Sequence, residues 1–492
     1  MKVLLVYPEF PDTFWSFKHA LKFIRKRASL PPLGLLTVAA MLPAQWDKRL
    51  VDVNVRQLTD KDLAWANIVF ISAMVIQRPS TRQLIARCKA AGLKIVAGGP
   101  LFTAEHEQFE DVDHFVLNEA EITLPPFLTD LEQGCAKRVY ETTEFPEIQQ
   151  IPAPLWELAN LKHYATMAIQ YSRGCPFDCE FCNITALFGH RPRVKTGEQI
   201  IRELDGLYQL GWRSSVFFVD DNFIGNKKHL KENLLPALIE WRKDKIGMTF
   251  HTEVSINLAD DEELMNLMAE AGFNMVFVGV ETPDEESLAE CNKKQNQRRD
   301  LVEDVKRIQR SGMQVTGGFI VGFDSDTPSI FQRQIEFIQK SGIVTAMVGL
   351  LQAPIGTRLH ERLAKEGRLL GSFSGDNVDG NTNIIPKMNL DVLHQGYKTV
   401  VSYLYDAPNY FERVKTFLKE YKTPRIKVPL DFEYILAFFR SIIQLGILDK
   451  ERIHYWKLFF WTLFRRPRLF PLAITFAIHG YHFRQVCALH IL

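Results

Sequence analysis

The chain has 492 residues, of which 46% are hydrophobic and 24% charged, enough for a large buried core and about three domains. With 59 Lys and Arg against 58 Asp and Glu the net charge is +1, so no global field draws it to nucleic acid or to an acidic partner, and any electrostatic role has to be local. Seven cysteines, an odd number and thinly spread apart from one cluster, argue against a secreted disulfide framework; the opening "MKVLLVYPEFPDTF" lacks the long apolar core and small-residue cleavage site of a signal peptide, so a reducing, cytoplasmic setting is expected.

The first stretch alternates apolar runs with helical patterns. "KVLLVYP", "RLVDVNV", "NIVFISAMV", "KIVAGGP" and "DHFVLNEA" read as strands, and "TRQLIARCKAAG" as a linking helix closed by Gly92. Continuous apolar strands separated by helices predict a doubly wound parallel sheet, with ligands at the carboxyl ends of its strands. The domain is expected over 1–135. A polar, proline-bearing linker follows over 136–163, within which lies "ETTEFPEIQQIPAPLW".

A second series then begins: "YATMAIQYS", "SSVFFVDDNF", "MTFHTEVSI", "MVFVGVET", "MQVTGGFIVGF" and "TAMVGLLQA", each followed by a helix-length segment. Six such units predict most of a TIM barrel over 164–360, with its functional end where the strands finish. From 361 to 492 the pattern is helical and ends in an aromatic, basic tail. There Trp456, Phe459, Phe460, Trp461 and Phe464 alternate with Lys457, Arg465, Arg466 and Arg468, which reads either as helices packed on the barrel or as a segment resting on anionic lipid. The longest clean apolar run there, Leu469 to Ile478, is well short of the ~20 residues that span a bilayer.

Three of the seven cysteines fall together in "YSRGCPFDCEFCNI", as Cys175, Cys179 and Cys182. Soft thiolates at C-x-x-x-C-x-x-C suit an iron-sulfur cluster or zinc. Structural zinc wants a fourth ligand, and the nearest candidate is His190 in a basic segment. A four-iron cluster with one iron left open fits three cysteines better; zinc and coincidence are the alternatives.

At the end of the first barrel strand, "CPFDCEFC" resembles the motif of radical S-adenosylmethionine enzymes, and the later strands agree with it over about 165–355. The resemblance implies a [4Fe-4S] cluster held by Cys175, Cys179 and Cys182. Its open iron would chelate the amino and carboxylate groups of S-adenosylmethionine, which an electron splits to a 5′-deoxyadenosyl radical. It also implies Phe181 beside the adenine. "VDDNF" stands where the family has a Gly-Gly-Glu-like motif, so Asp220, Asp221 and Asn222 would meet the methionine ammonium, which needs acceptors when buried; the two glycines are missing here. "HTEVSIN" offers Glu253 and Ser255 for the ribose and carboxylate. "VGVET" offers Gly279 and Glu281, and "GGFIVGF" resembles the element packed on adenine, with Gly318, Ile320 and Gly322. The plainer reading is glycines closing strand ends and Glu281 capping a helix.

The first domain lacks G-x-G-x-x-G. "SLPPLGLLTVAAML", "SAMVIQRP" and "VAGGPLFT" resemble, in their order, the Rossmann-like cobalamin-binding domain that precedes the barrel in one class of these enzymes. Gly98 and Gly99 would let the corrin and its nucleotide tail approach the backbone, and Ser72, Gln77, Thr103 and Glu119 would bond their polar groups; ordinary strand-end turns are the alternative. No D-x-H-x-x-G supplies histidine to cobalt, His114 following Asp113 directly. The helical region, with "GDNVDGNTNIIPKMN" and "GYKTVVSYLYDAPNYFER", resembles that of a subgroup including hopanoid C-2 methylases.

The architecture implied is α/β: a cobalamin-binding domain, a partial (β/α)6 radical S-adenosylmethionine barrel and a helical C-terminal domain. The leading function is a cobalamin-dependent radical methylase in which one S-adenosylmethionine yields the hydrogen-abstracting radical and a second remakes methylcobalamin. Its expected substrate is a lipid, isoprenoid or other hydrophobic small molecule, with a flavodoxin or ferredoxin as electron donor, no nucleic acid, and membrane contact through the tail. Two alternatives stay open: a non-methylating rearrangement, cyclisation or oxidation on the same cofactors, and a non-catalytic zinc-containing binding module.

Overall fold

The computed structural model describes residues 1–376, 379–422 and 432–490. Part of "GDNVDGNTNIIPKMN" and the segment between 422 and 432 therefore lie outside the described residues.

The first sheet has six parallel strands, β1 (Lys2–Tyr7), β2 (Asp47–Asp52), β3 (Ile68–Ser72), β4 (Lys94–Gly98), β5 (His114–Val116) and β6 (Val139–Tyr140), in the order β2-β1-β3-β4-β5-β6. β1 shows why these runs are apolar throughout. Val3 and Leu5 pack with Leu35 and Ala39 on one face, and Leu4 and Val6 with Val69 and Ile71 on the other, so both faces are covered. The order reverses between β1 and β3, which opens a crevice at their carboxyl ends. Helices α1 (Arg78–Ala90) and α2 (Ala120–Glu132) follow β3 and β5. β6 lies beyond residue 135, so this sheet runs on into the expected linker; two residues carry too little pattern to be read as a strand. The rest of that stretch is packed, with Ile148, Ile151 and Trp156 buried.

The second sheet starts at β7 (Met167–Ile169). A two-stranded hairpin of β8 (Ser172–Arg173) and β9 (Arg193–Val194) then encloses the three cysteines. The remaining strands are β10 (Val216–Phe218), β11 (Phe250–Val254), β12 (Phe273–Glu281), β13 (Gln314–Val321) and β14 (Ala346–Leu350). All six are parallel and in sequence order, β7-β10-β11-β12-β13-β14, the expected arc of a barrel. Alternate residues such as Val216, Phe218, Phe250 and Val276 join the core under the surrounding helices. The other set, including Phe217, His251, Glu253, Phe277 and Gly279, faces the lumen.

Beyond β14 lie α3 (Leu390–Tyr405), α4 (Ala407–Glu420), α5 (Phe432–Ser441), which runs into a π-helical turn Ile442–Leu448, α6 (Arg452–Arg465) and α7 (Phe470–His490). They share one core with the barrel. The tail's aromatic residues divide between two roles. Trp456 donates its indole N–H to the Gly446 carbonyl (2.9 Å) and Phe459 packs edge-on against Phe470, while Phe460 and Phe464 are 50% and 78% exposed. Among the described residues no helix is long and apolar enough to cross a membrane.

Candidate functional site

The cysteine loop is fixed from its base. Asp220, after β10, is buried, and its carboxylate accepts from the backbone N–H of Tyr171 (3.1 Å) and from the Ser172 hydroxyl (2.5 Å) and amide. Burial pushes its pKa up to about 7 against these bonds. Its oxygens are thus committed to the strand entering the loop, which corrects its assignment to a ligand ammonium. Gly174 follows at φ +93, and a Cβ there would lie 2.8 Å from the Arg191 carbonyl oxygen and 2.9 Å from that of Gly189, so the closure of the loop on itself requires glycine. The far side is pinned by Asn292 to the Asp178 carbonyl (2.8 Å) and by Arg362 to the Glu180 carboxylate (2.7 Å).

Cys175, Cys179 and Cys182 are half-buried and free. Asn222 directs its amide N–H to the Cys175 sulfur (4.0 Å) and Gln295 to that of Cys179 (3.7 Å), the outer hydrogen bonds that sulfur ligands of a cluster receive. Burial raises the thiols of Cys175 and Cys182, the latter to about 12; ligation to a cationic centre removes those protons. Among the described residues no three His, Cys, Asp or Glu converge on a point that would hold one ion, and His190 is exposed. Three thiolates without a fourth ligand suit an iron-sulfur cluster with one iron left open better than structural zinc, which wants four ligands.

Carboxylates crowd the adjoining strand ends. The Asp221 Oδ2 is buried without a hydrogen-bond partner, and burial pushes its pKa up to about 6. Burial, then Asp221 and Asp220, push Glu253 up to about 8. A buried acceptor lacking a donor beside two further acids is a place for a cation; the ammonium and sulfonium of S-adenosylmethionine fit it. The Ser255 hydroxyl donates to Asn257 Oδ1 (2.6 Å), and its amide to Asn222 Oδ1 (3.2 Å). Glu281 ends β12 at φ +63 and pairs with Lys293, both side chains nearly buried. It does not cap a helix, since Asp284 does so. Phe181 and Ile320 pack in one apolar cluster with Cys291 and Phe323, and Lys293 Nζ lies 5.8 Å from the centre of the Phe181 ring. Lys293 thus links this apolar cluster to the Glu281 carboxylate. Gly322, at φ +106, donates its amide to Asp326 (2.8 Å).

Two glycines owe their identity to protein atoms. A Cβ on Gly279 would meet the Glu281 carboxylate and Lys293 Nζ (2.8 Å), and one on Gly318 would come within 2.8 Å of the Phe277 ring. The same vectors show that Gly279, Gly318, Phe277 and Met347 share the lumen face. Deeper in the lumen the lining turns apolar: Phe217 and His251 stack at 4.8 Å and 2°, and burial holds His251 at about 4, so its ring is neutral at neutral pH.

In the first domain Ser72 is half-buried at the carboxyl end of β3, beside the crevice. Gly99 has φ +90, and a Cβ there would come within 2.6 Å of Ser72 Oγ; one on Gly98 would strike the Val116 carbonyl oxygen at 2.7 Å. Neighbouring strands alone therefore demand glycine at both. Thr103 Oγ1 accepts from the Asn118 amide (3.0 Å). Two expectations are corrected. Gln77 is fully buried and spends its amide on the Pro8 carbonyl (2.6 Å) and the Met74 N–H (2.8 Å). Glu119 is consumed by Arg173 (2.6 Å) and Arg193 (2.7 Å) of the cysteine hairpin. His114 bonds the Lys137 carbonyl through Nδ1 (2.7 Å) and offers no ligand at the crevice. Lys293, Gln295 and Asn257 were not legible as site residues, for "CNKKQN" and "INLAD" match no motif and only the fold brings them to the cysteines and acids.

Residues 26–128 match the B12 binding domain, 169–338 the Radical SAM superfamily, and 357–491 a domain of unknown function, DUF4070. The chain is 40% identical over 494 residues to an uncharacterized methyltransferase, sll1242, of Synechocystis sp., covering 99% of this chain and 92% of that one. It is 36% identical to the hopanoid C-2 methylase of Rhodopseudomonas palustris, over 93% of this chain and 88% of that one. Among solved structures, the radical S-adenosylmethionine methyltransferase TsrM of Kitasatospora setae, with cobalamin and a [4Fe-4S] cluster bound, superposes with a TM-score of 0.63 at 15% identity, covering 99% of both chains. OxsB, with aqua-cobalamin and S-adenosylmethionine bound, also gives 0.63 at 14%, over 99% of this chain and 80% of that one.

Proposed function

The chain belongs to the cobalamin-binding radical S-adenosylmethionine family and is a cobalamin-dependent radical methyltransferase, and from that premise we propose that it methylates an unactivated carbon of a hydrophobic, hopanoid-like or other isoprenoid molecule. The observation that carries the substrate class is the lumen lining, where Phe217 and neutral His251 lie below Glu253 and Phe277 and Met347 lie beside and above it, none of them presenting a charge. The relation to a hopanoid C-2 methylase supports it.

The cofactors supply a carbon-centred radical and a methyl group for transfer to carbon. The chain's own residues position and shield. Cys175, Cys179 and Cys182 hold the cluster, with Asn222 and Gln295 bonding its sulfur ligands. Asp221 accepts the methionine ammonium, with Glu253 as its neighbour; Ser255 and Asn257 offer hydroxyl and amide groups to the ribose, and Phe181 and Ile320 enclose the adenine. Ser72, Gly99 and Thr103 face the cobalamin. Asp220 acts only by holding Tyr171 and Ser172.

A flavodoxin or ferredoxin is the proposed electron donor. The proposed docking partner of the C-terminal helices is an anionic bilayer surface. Ile435, Phe439, Ile443 and Ile447 recur every fourth residue along α5 and its π-helical turn, and all are exposed. Phe460 and Phe464 stand out from the neighbouring α6 among exposed Lys457, Arg465 and Arg468, so apolar side chains and cations meet one surface together. A bilayer is also where an isoprenoid substrate resides.

The test is anaerobic reconstitution with iron, sulfide and cobalamin, then reaction with S-adenosylmethionine, dithionite and a lipid extract. Expected products are 5′-deoxyadenosine, S-adenosylhomocysteine and a lipid heavier by one methylene. 5′-Deoxyadenosine without S-adenosylhomocysteine would favour the non-methylating alternative, and one equivalent of zinc without iron or cobalt the binding module. Cys179→Ala is expected to abolish cleavage while the fold survives.

A further inference from the structure

The loop after β1 carries an aromatic side chain from the first domain into the barrel. Its short turn, Phe14–Ser16, is anchored on both sides. Phe14 is buried and stacks on Phe483 of α7 at 4.2 Å and 14°, and its carbonyl bonds His482 Nε2 (3.0 Å). Ser16 bonds Asp12 (3.1 Å) and the Thr13 carbonyl (2.7 Å). Phe17 is held at φ +50, a conformation that costs a non-glycine residue energy and persists only where its surroundings impose it.

All this holds Trp15 in place. Its ring meets Phe277 edge-on at 5.6 Å, and its indole N–H is used by the Met347 sulfur at 2.9 Å. Phe277 and Met347 lie on the lumen face of β12 and β14, on either side of Gly318. Phe277 is also paired in register with Glu253 of the acid group, one strand spacing of about 4.8 Å away. Yet Trp15 stays 39% exposed. A large ring with its polar atom satisfied, an open face and a costly anchorage is a contact surface in waiting.

We propose that Trp15, with Phe277 and Met347, is the wall of the lumen on which the methyl-accepting substrate lies, and that it selects an uncharged, carbon-rich framework. Because the turn follows β1 of the first sheet, it brings the substrate to the junction of that sheet with the layer of acids. Trp15 is thus a specificity-determining residue. The inference rests on the function proposed above and adds the residue that chooses the substrate.

The test uses the reconstituted holoenzyme. Wild type, Trp15→Ala, Trp15→Phe and Phe277→Ala are mixed in detergent micelles with a neutral polycyclic triterpenoid alcohol or its carboxylate analogue, and the amount retained on gel filtration is measured. Wild type is expected to retain the alcohol in preference to the carboxylate. Trp15→Ala is expected to weaken retention about tenfold and Trp15→Phe to restore most of it; 5′-deoxyadenosine formation is measured in parallel. Phe277→Ala, placed on a strand, is expected to match Trp15→Ala and serves if the turn variant fails to fold. Undiminished retention by the alanine variants, a preference for the carboxylate, or retention of neither by wild type would overturn the proposal. Retention does not depend on cleavage, so absence of 5′-deoxyadenosine in every protein strikes the proposed function and leaves the retention result standing.

Discussion

The carboxylate of Glu119, at the head of α2 in the first domain, is gripped by Arg173, two residues before the first cysteine of the loop. The bond is 2.6 Å, and the Glu119 side chain is 2% exposed. Arg193 on the returning strand of the same hairpin takes the other oxygen at 2.7 Å, and Glu121 adds a second acid to Arg173 at 2.9 Å. Both ends of the cysteine loop are therefore tied to one carboxylate of the other domain.

Removing that carboxylate leaves two guanidinium groups buried against a single remaining acid. Breaking a buried pair on one side costs about 3–5 kcal/mol. Glu119→Ala is accordingly expected to lower the urea midpoint and, because both loop ends lose their anchor, to reduce iron bound per chain after reconstitution. Glu107→Ala, at an exposed position of the same domain, is the control. An unchanged iron content would show that the hairpin holds the loop without help from the first domain.

Asp220 and Asp221 are adjacent, yet their variants should behave differently. Asp220→Asn replaces an acceptor-only group with one that carries an N–H, facing the donors Tyr171 N–H and Ser172 N–H. It is expected to destabilise the loop and cost iron. Asp221→Asn keeps an oxygen for the Gly174 amide of the loop and removes the charge offered to the ammonium, so iron is expected to stay while S-adenosylmethionine binds about tenfold or more weakly. Iron analysis and equilibrium dialysis separate the two, and the same phenotype from both would merge their roles.

This pair shows what the sequence could and could not say. Periodicity and β-branched runs made the strands of both sheets legible apart from the two-residue β6, and the spacing of Cys175, Cys179 and Cys182 made the loop legible, because each is local in the chain. "VDDNF" announced acids at a strand end. Which one faces the lumen depends on the pleat and on what the next strand offers, which is a tertiary fact. Gln77 and Glu119 went astray for the same reason: a polar residue at a strand end looks alike whether its partner is a ligand or another loop. Lys293 and Trp15 had no local mark, since their importance comes from chain segments far away in sequence.

The exposed face of α5 and α6 makes a prediction that does not involve the chemistry. Phe460→Asp with Phe464→Asp changes only exposed side chains, so the fold should be unaffected. The wild type is expected to sediment with phosphatidylglycerol vesicles more than with phosphatidylcholine vesicles and to release as salt rises, and the double variant to stay in the supernatant. Equal sedimentation of the two proteins would mean that these phenylalanines do not meet the bilayer.

The turn that carries Trp15 should loosen in acid. His482 is fully buried, and because a carbonyl only accepts, its Nε2 must carry the proton donated to Phe14, leaving Nδ1 bare and without a partner. Burial pushes it down to about 4, with His19 nearby adding to the shift and Asp12 opposing it; His479 falls to about 4 by burial and the neighbouring His482. The unfolded chain takes up protons near the ordinary histidine value of ~6.5 and the folded chain only near 4. Stability is therefore full above about pH 6.5 and declines as pH falls toward 4, by roughly 3 kcal/mol for His482 alone in that limit. His482→Gln keeps a donor for the Phe14 carbonyl and abolishes that residue's titration. Thermal melts followed by circular dichroism from pH 7.5 to 4.5 should show a shallower fall for the variant than for wild type. Parallel curves would mean that the acid response lies elsewhere and that the anchorage of Phe14 does not depend on a neutral histidine.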